Sequence, residues 1–69
     1  MNINIEPIRR STLDVKEVAE YLGISVDMVY ILCRESRIAH FRIGRRILFK
    51  KDAIDKWIEA QMIEGNGYE

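Results

Sequence analysis

Apolar positions recur at helical spacing in three stretches of the chain and alternate with polar ones in a fourth. In "LDVKEVAEYLG", Val15, Val18, Ala19 and Leu22 fall on one helix face. Asp14 is a good N-cap, Glu17 three residues later completes a capping box, and Gly23 suits the left-handed position that ends a helix. "ISVDMVYILCRES" predicts a second helix, capped by Ser25 and with Asp27 at the positive end of the helix dipole. Val29, Leu32 and Cys33 form its inner face; Val26, Asp27, Tyr30, Ile31 and Arg34 lie mostly outside. Only Gly23, Ile24 and Ser25 separate the two helices, a turn short enough to cross them steeply in a helix-turn-helix pattern. "KKDAIDKWIEAQMIE" predicts a third helix, capped by Asp52, with Ala53, Ile54, Trp57, Ile58 and Met62 inward and Trp57 as the largest anchor.

The alternating stretch, "FRIGRRILFK" from Phe41 to Lys50, reads as a β-hairpin. A two-residue turn at Gly44-Arg45 would pair Ile43 with Arg46 and Phe41 with Leu48, splitting the apolar set between two faces. A three-residue loop at Gly44-Arg45-Arg46 pairs Ile43 with Ile47 and Phe41 with Phe49 on one face, and the pattern favours it. On that reading His40, Arg42, Leu48 and Lys50 take the other face, Arg45 and Arg46 form the tip, and Lys51 adjoins. Residues 1–11, which hold the sole proline Pro7, read as a flexible lead-in with Arg9 and Arg10 as a small secondary basic site. Residues 12–63 form the folded domain and 64–69 a frayed tail. The expected fold class is α+β: two helices in helix-turn-helix arrangement, a two-stranded hairpin and a C-terminal helix.

Charge changes the picture more than composition does. Eleven Lys+Arg balance eleven Asp+Glu over 69 residues, yet residues 34–51 carry net +6 between flanks of −2 and −4. Such a basic block is a patch for an anionic partner. A domain this small is only marginally stable alone, and its single cysteine, Cys33, excludes an internal disulfide and suits a reducing cytoplasm. No Cys/His cluster has zinc spacing, no apolar run nears the ~18 residues of a membrane span, and "MNINIEPIRR" is no signal peptide. The expected location is therefore cytoplasmic, on the nucleoid when DNA is bound. His40, the only histidine, has no catalytic partner, and no glycine-rich phosphate loop is present. Enzyme activity, a cofactor, a metal and a small-molecule substrate are not expected. Binding is what remains: a second helix able to enter the major groove of double-stranded DNA, and arginines at a hairpin tip suited to phosphates or a narrow minor groove. Ser25, Tyr30, Arg34 and Lys16 add donors for base edges and phosphates.

The run Leu13 to Ile58, with "EVAEYLGIS", "VY" and "RIGRRILFKKDAIDKWI" in order, resembles the excisionase-like, MerR-type winged helix-turn-helix DNA-binding domains over 46 of 69 residues. The resemblance implies a recombination directionality factor of a phage or conjugative element, assisting an integrase, or a small transcription regulator. Both kinds bind side by side on repeated sites. It implies a groove-facing helix from Ser25 to Ser36, a wing from His40 to Lys50, and DNA contacts at Ser25, Val26, Asp27, Tyr30, Arg34, Arg42, Arg45 and Arg46. Lys16 and Lys50 extend this set. The family often has arginine where this chain has Ile31 and Leu48. Met28, Ile31, Leu48 and Val26 support a competing expectation: an apolar face for a protein partner, as in an anti-repressor or an integrase-docking module.

Overall fold

Local chemistry closes the ends of the first two helices. In the computed structural model, which describes residues 10–63, β1 spans Thr12–Asp14, α1 Val15–Leu22, α2 Val26–Arg34, β2 Phe41–Ile43, β3 Arg46–Lys50 and α3 Lys51–Gln61. The capping box forms as the sequence predicts: Asp14 Oδ1 accepts from the Glu17 amide at 2.8 Å, and Glu17 Oε1 accepts from the Asp14 amide at 2.9 Å. Gly23 closes α1 at φ 74°, and Ser25 Oγ accepts from the Met28 amide at 3.0 Å to open α2.

The end of α2 carries the one non-glycine at positive φ among the described residues. Ser36 sits at φ 57° while its amide donates to Cys33 O and the Arg37 amide to Leu32 O, at 3.0 and 2.8 Å. This double closure usually uses glycine, and a side chain in the left-handed region costs about 1–2 kcal/mol. Ser36→Gly should therefore stabilise the fold by about 0.5–1 kcal/mol, after subtracting glycine's greater freedom in the unfolded chain. Thermal unfolding checks this as a rise of a few degrees in Tm.

The sheet differs from the sequence expectation in strand number and in register. It has three antiparallel strands in the order β1-β3-β2, with Thr12, Leu13 and Asp14 opposite Lys50, Phe49 and Leu48. The added strand, "TLD", is too short to show an alternating pattern of its own. In the hairpin, Phe41 pairs with Leu48, Arg42 with Ile47 and Ile43 with Arg46. This is the two-residue Gly44-Arg45 turn, and the three-residue loop is wrong. Gly44 at φ 59° occupies the first central position, where a type II′ turn takes glycine. Leu13, Ile47, Phe49 and Arg42 thus share the inner face. Thr12, Asp14, Phe41, Ile43, Arg46, Leu48 and Lys50 share the outer one. Phe41 and Ile43 are 38% and 62% exposed, whereas Phe49 is fully buried. Helix packing explains the outcome, because α1 and α3 lie on β3 and α1 also on β1. An edge strand beyond that cover need not point its apolar residues inward.

Val15, Val18, Ala19, Val29, Leu32, Cys33, Ile38, Phe49 and Ile54 form the core. Ile38, in the link between α2 and β2, escapes periodic analysis because it belongs to no repeating element. Trp57 is not the largest buried anchor: it is half-buried and donates its indole N–H to Arg37 O at 2.7 Å, while Phe49 and Ile54 fill the centre. Asp52 does not cap α3. β3 runs directly into that helix, Lys50 takes the cap position without a side-chain bond, and the Lys51 amide donates instead to Ser11 O at 2.8 Å. Met62 lies past the helix end and is 70% exposed rather than inward. Arg9, most of the lead-in and the 64–69 tail lie outside the described residues.

Candidate nucleic-acid interface

The short α1–α2 turn leaves one side of α2 open. Asp27, Met28, Tyr30 and Arg34 are exposed on it. Val26 and Ile31 are half-buried rather than outside, and Val26 packs against the core. Ser25 is exposed, with its hydroxyl engaged in the cap. Beside α2 the hairpin places Arg45 in the turn and Arg46 at the start of β3. Lys16, Tyr30, Arg45 and Arg46 line one cavity of about 290 Å³ together with Asp14, Val15 and Ile47. Arg46 reaches Asp14 as an ion pair at 3.6 Å.

Register moves the other hairpin bases. Arg42 points to the inner side of the sheet, opposite Ile47, where its charge reaches Cys33. Burial pushes the Cys33 thiol up, and Arg42 offsets this only in part, so the thiol stays protonated and unreactive. Lys50 lies on the outer face opposite Thr12, on the same side as Leu48. Lys51 is tied elsewhere: it donates to Asp55 Oδ2 at 3.1 Å and sits 5.3 Å over the Tyr21 ring, while the Tyr21 hydroxyl donates to Asp55 Oδ1. The Tyr21 and Lys51 bonds hold the Asp55 carboxyl below its usual range, and Asp55, then Tyr21, raises the Lys51 ammonium. Asp55 therefore fastens α1 to α3 rather than merely solvating a helix face. Arg10 pairs with Glu17, whose carboxyl is lowered first by the Asp14 amide and then by that arginine. Lys16, Arg34, Arg42, Arg45 and Lys50 make no ion pair with a described residue.

A family model described as a helix-turn-helix domain matches residues 12–62, from β1 past the end of α3. The chain belongs to the helix-turn-helix domain family. No curated protein and no solved structure matches it. In this helix-turn-helix domain α2 is the second helix of the motif, the element such DNA-binding proteins present to the major groove. The three-stranded sheet and the hairpin beside α2 make it a winged helix-turn-helix. Among the described residues no group of three or more His, Cys, Asp or Glu could hold a metal ion, and no helix is long and apolar enough to cross a membrane. The helix-turn-helix domain thus has two adjoining features, an exposed α2 face and a notch between the start of α1 and the wing tip.

Proposed function

We propose that the protein is a sequence-specific DNA-binding accessory factor of the excisionase type, which fills repeated sites side by side and assists a site-specific integrase. The observation that carries this reading is the notch: Lys16 from α1, Tyr30 from α2 and Arg45 and Arg46 from the wing converge beside the exposed face of α2. α2 is a nine-residue helix, and a helix about 10–12 Å across with its side chains fits a major groove about 12 Å wide. Arg34 and Tyr30 are the exposed donors on it for guanine edges and phosphates, and Asp27 suits a cytosine amino group. Arg45 at the tip extends the contact to the adjoining backbone or minor groove. One module makes few contacts, so neighbouring copies on tandem sites supply the remaining affinity.

A transcription regulator of the same fold is the alternative role on DNA. Stimulation of an integrase-driven excision reaction supports the first role; repression of a promoter without that stimulation supports the second. The exposed strip of Phe41 and Ile43 beside half-buried Leu48 favours a protein contact in addition. That strip is a better docking face than Ile31, which is half-buried, and Met28 is exposed on α2.

The test of DNA binding is its salt dependence on a duplex from the protein's own locus. About four phosphate contacts should give a slope of log K against log salt of about −3.6, or roughly a hundredfold loss between about 50 and 200 mM. A slope near zero would overturn the reading.

A further inference from the structure

Asp14 is the one acidic residue among the seven that line the notch. Its two oxygens do different work. Oδ1 accepts the Glu17 amide at 2.8 Å and belongs to the α1 cap, while Oδ2 faces the Arg46 guanidinium at 3.6 Å. The ion pair is solvent-exposed, with the Arg46 side chain 67% and the Asp14 side chain 33% accessible, and it is longer than a good hydrogen bond. Arg46 is therefore held loosely and can be redirected. Lys16, Tyr30 and Arg45 stand around the same space with two positive charges and a phenol hydroxyl, and neither Lys16 nor Arg45 pairs with a described carboxylate.

We infer that the notch is the seat of a single DNA backbone phosphate, that the Asp14 carboxylate holds the place of that phosphate in the free protein, and that Arg46 exchanges one anion for the other when DNA arrives. This rests on the DNA-binding reading and deepens it. The chemistry is shared: carboxylate and phosphate both present paired oxygens to the fork of a guanidinium, and a phosphate also accepts from an ammonium and a phenol. Asp14 keeps Arg46 over the notch before binding. Because it is fixed in the helix cap, it competes with the incoming phosphate for Arg46, and their pair must break before the phosphate is held. Asp14 thus lowers affinity for every DNA sequence alike, since backbone contacts carry no sequence information.

Asp14→Asn tests this without breaking the helix, because asparagine and aspartate are comparable N-caps; Asp14→Ser removes the charge with a third good cap. Dissociation constants are measured for wild type, both Asp14 variants, Arg46→Gln and the Asp14→Asn/Arg46→Gln pair on one duplex from the protein's locus. Thermal unfolding checks that each is folded. The expected result is DNA binding tightened about three- to tenfold by either Asp14 variant, with most of that gain lost when Arg46 is also replaced. Unchanged or weaker binding by folded Asp14 variants would reduce Asp14 to a helix cap and overturn the inference while leaving DNA binding intact. A gain that persists in full without Arg46 would overturn the exchange, showing only removal of a repulsive charge. A wild type that fails to bind DNA in a salt-dependent way would overturn the functional reading itself, and the inference with it.

Discussion

Arg45→Ala/Arg46→Ala should weaken DNA binding by about 30- to 150-fold while leaving the domain folded. Both side chains are exposed, so each contact is taken as about 1–1.5 kcal/mol, the upper part of the range for an ordinary hydrogen bond and no more than the lower limit for one to a charged group. The slope of affinity against salt should also flatten by about one to two, since the phosphate in the notch loses Arg46 and the backbone beside it loses Arg45. Stability should hardly change. Arg45 sits in a turn with no described ion pair, and the Arg46 contact with Asp14 is an exposed pair worth at most about 1 kcal/mol. Gel-shift titration at two salt concentrations, beside thermal unfolding, separates the two effects. Unaltered affinity and slope in a folded double variant would sink the wing model. The search would then move to the protein partner that the strip of Phe41, Ile43 and Leu48 could take.

Phe49→Ala should unfold the protein or nearly so, and Phe41→Ala should not. Phe49 is fully buried among α1, α2 and α3 residues, and truncating such a side chain costs about 3–5 kcal/mol. A chain of 69 residues has a total stability of about 3–10 kcal/mol. Phe41 is 38% exposed on the outer face of an edge strand, so its loss should cost no more than about 1 kcal/mol. Urea denaturation of the two variants measures the difference. Equal losses would put the two phenylalanines on one face and restore the three-residue loop, so the pair of mutations tests the register as well as the core.

The parts legible in the sequence are those governed by neighbours three or four residues apart. Asp14, Glu17, Gly23 and Ser25 announce the ends of α1 and α2 because a capping hydrogen bond closes within one helical turn. The inner residues of those helices follow from their spacing, and the order of helix, helix, hairpin and helix follows with them. The hairpin register was open to two readings. The preference for one apolar face overrode a glycine whose place in the turn pointed to the other.

The same limit applies to the site. Tyr30, Arg45 and Arg46 stand out in the sequence as residue types, and Lys16 as a nearby base, but nothing local places them in one notch. Arg42 looks equivalent to Arg46 along the chain, yet pleating sends it to the opposite side of the sheet. Asp14 reads only as a cap until β1 pairs with β3 and brings it to Arg46. By itself the sequence determined the helices, the caps of α1 and α2 and the basic character of the segment beside α2, because propensity, capping and charge act over a few residues. Only the tertiary structure decided the third strand, the faces of the wing and the convergence on the notch, because these depend on which surfaces the helices cover and which strands they leave at the edge.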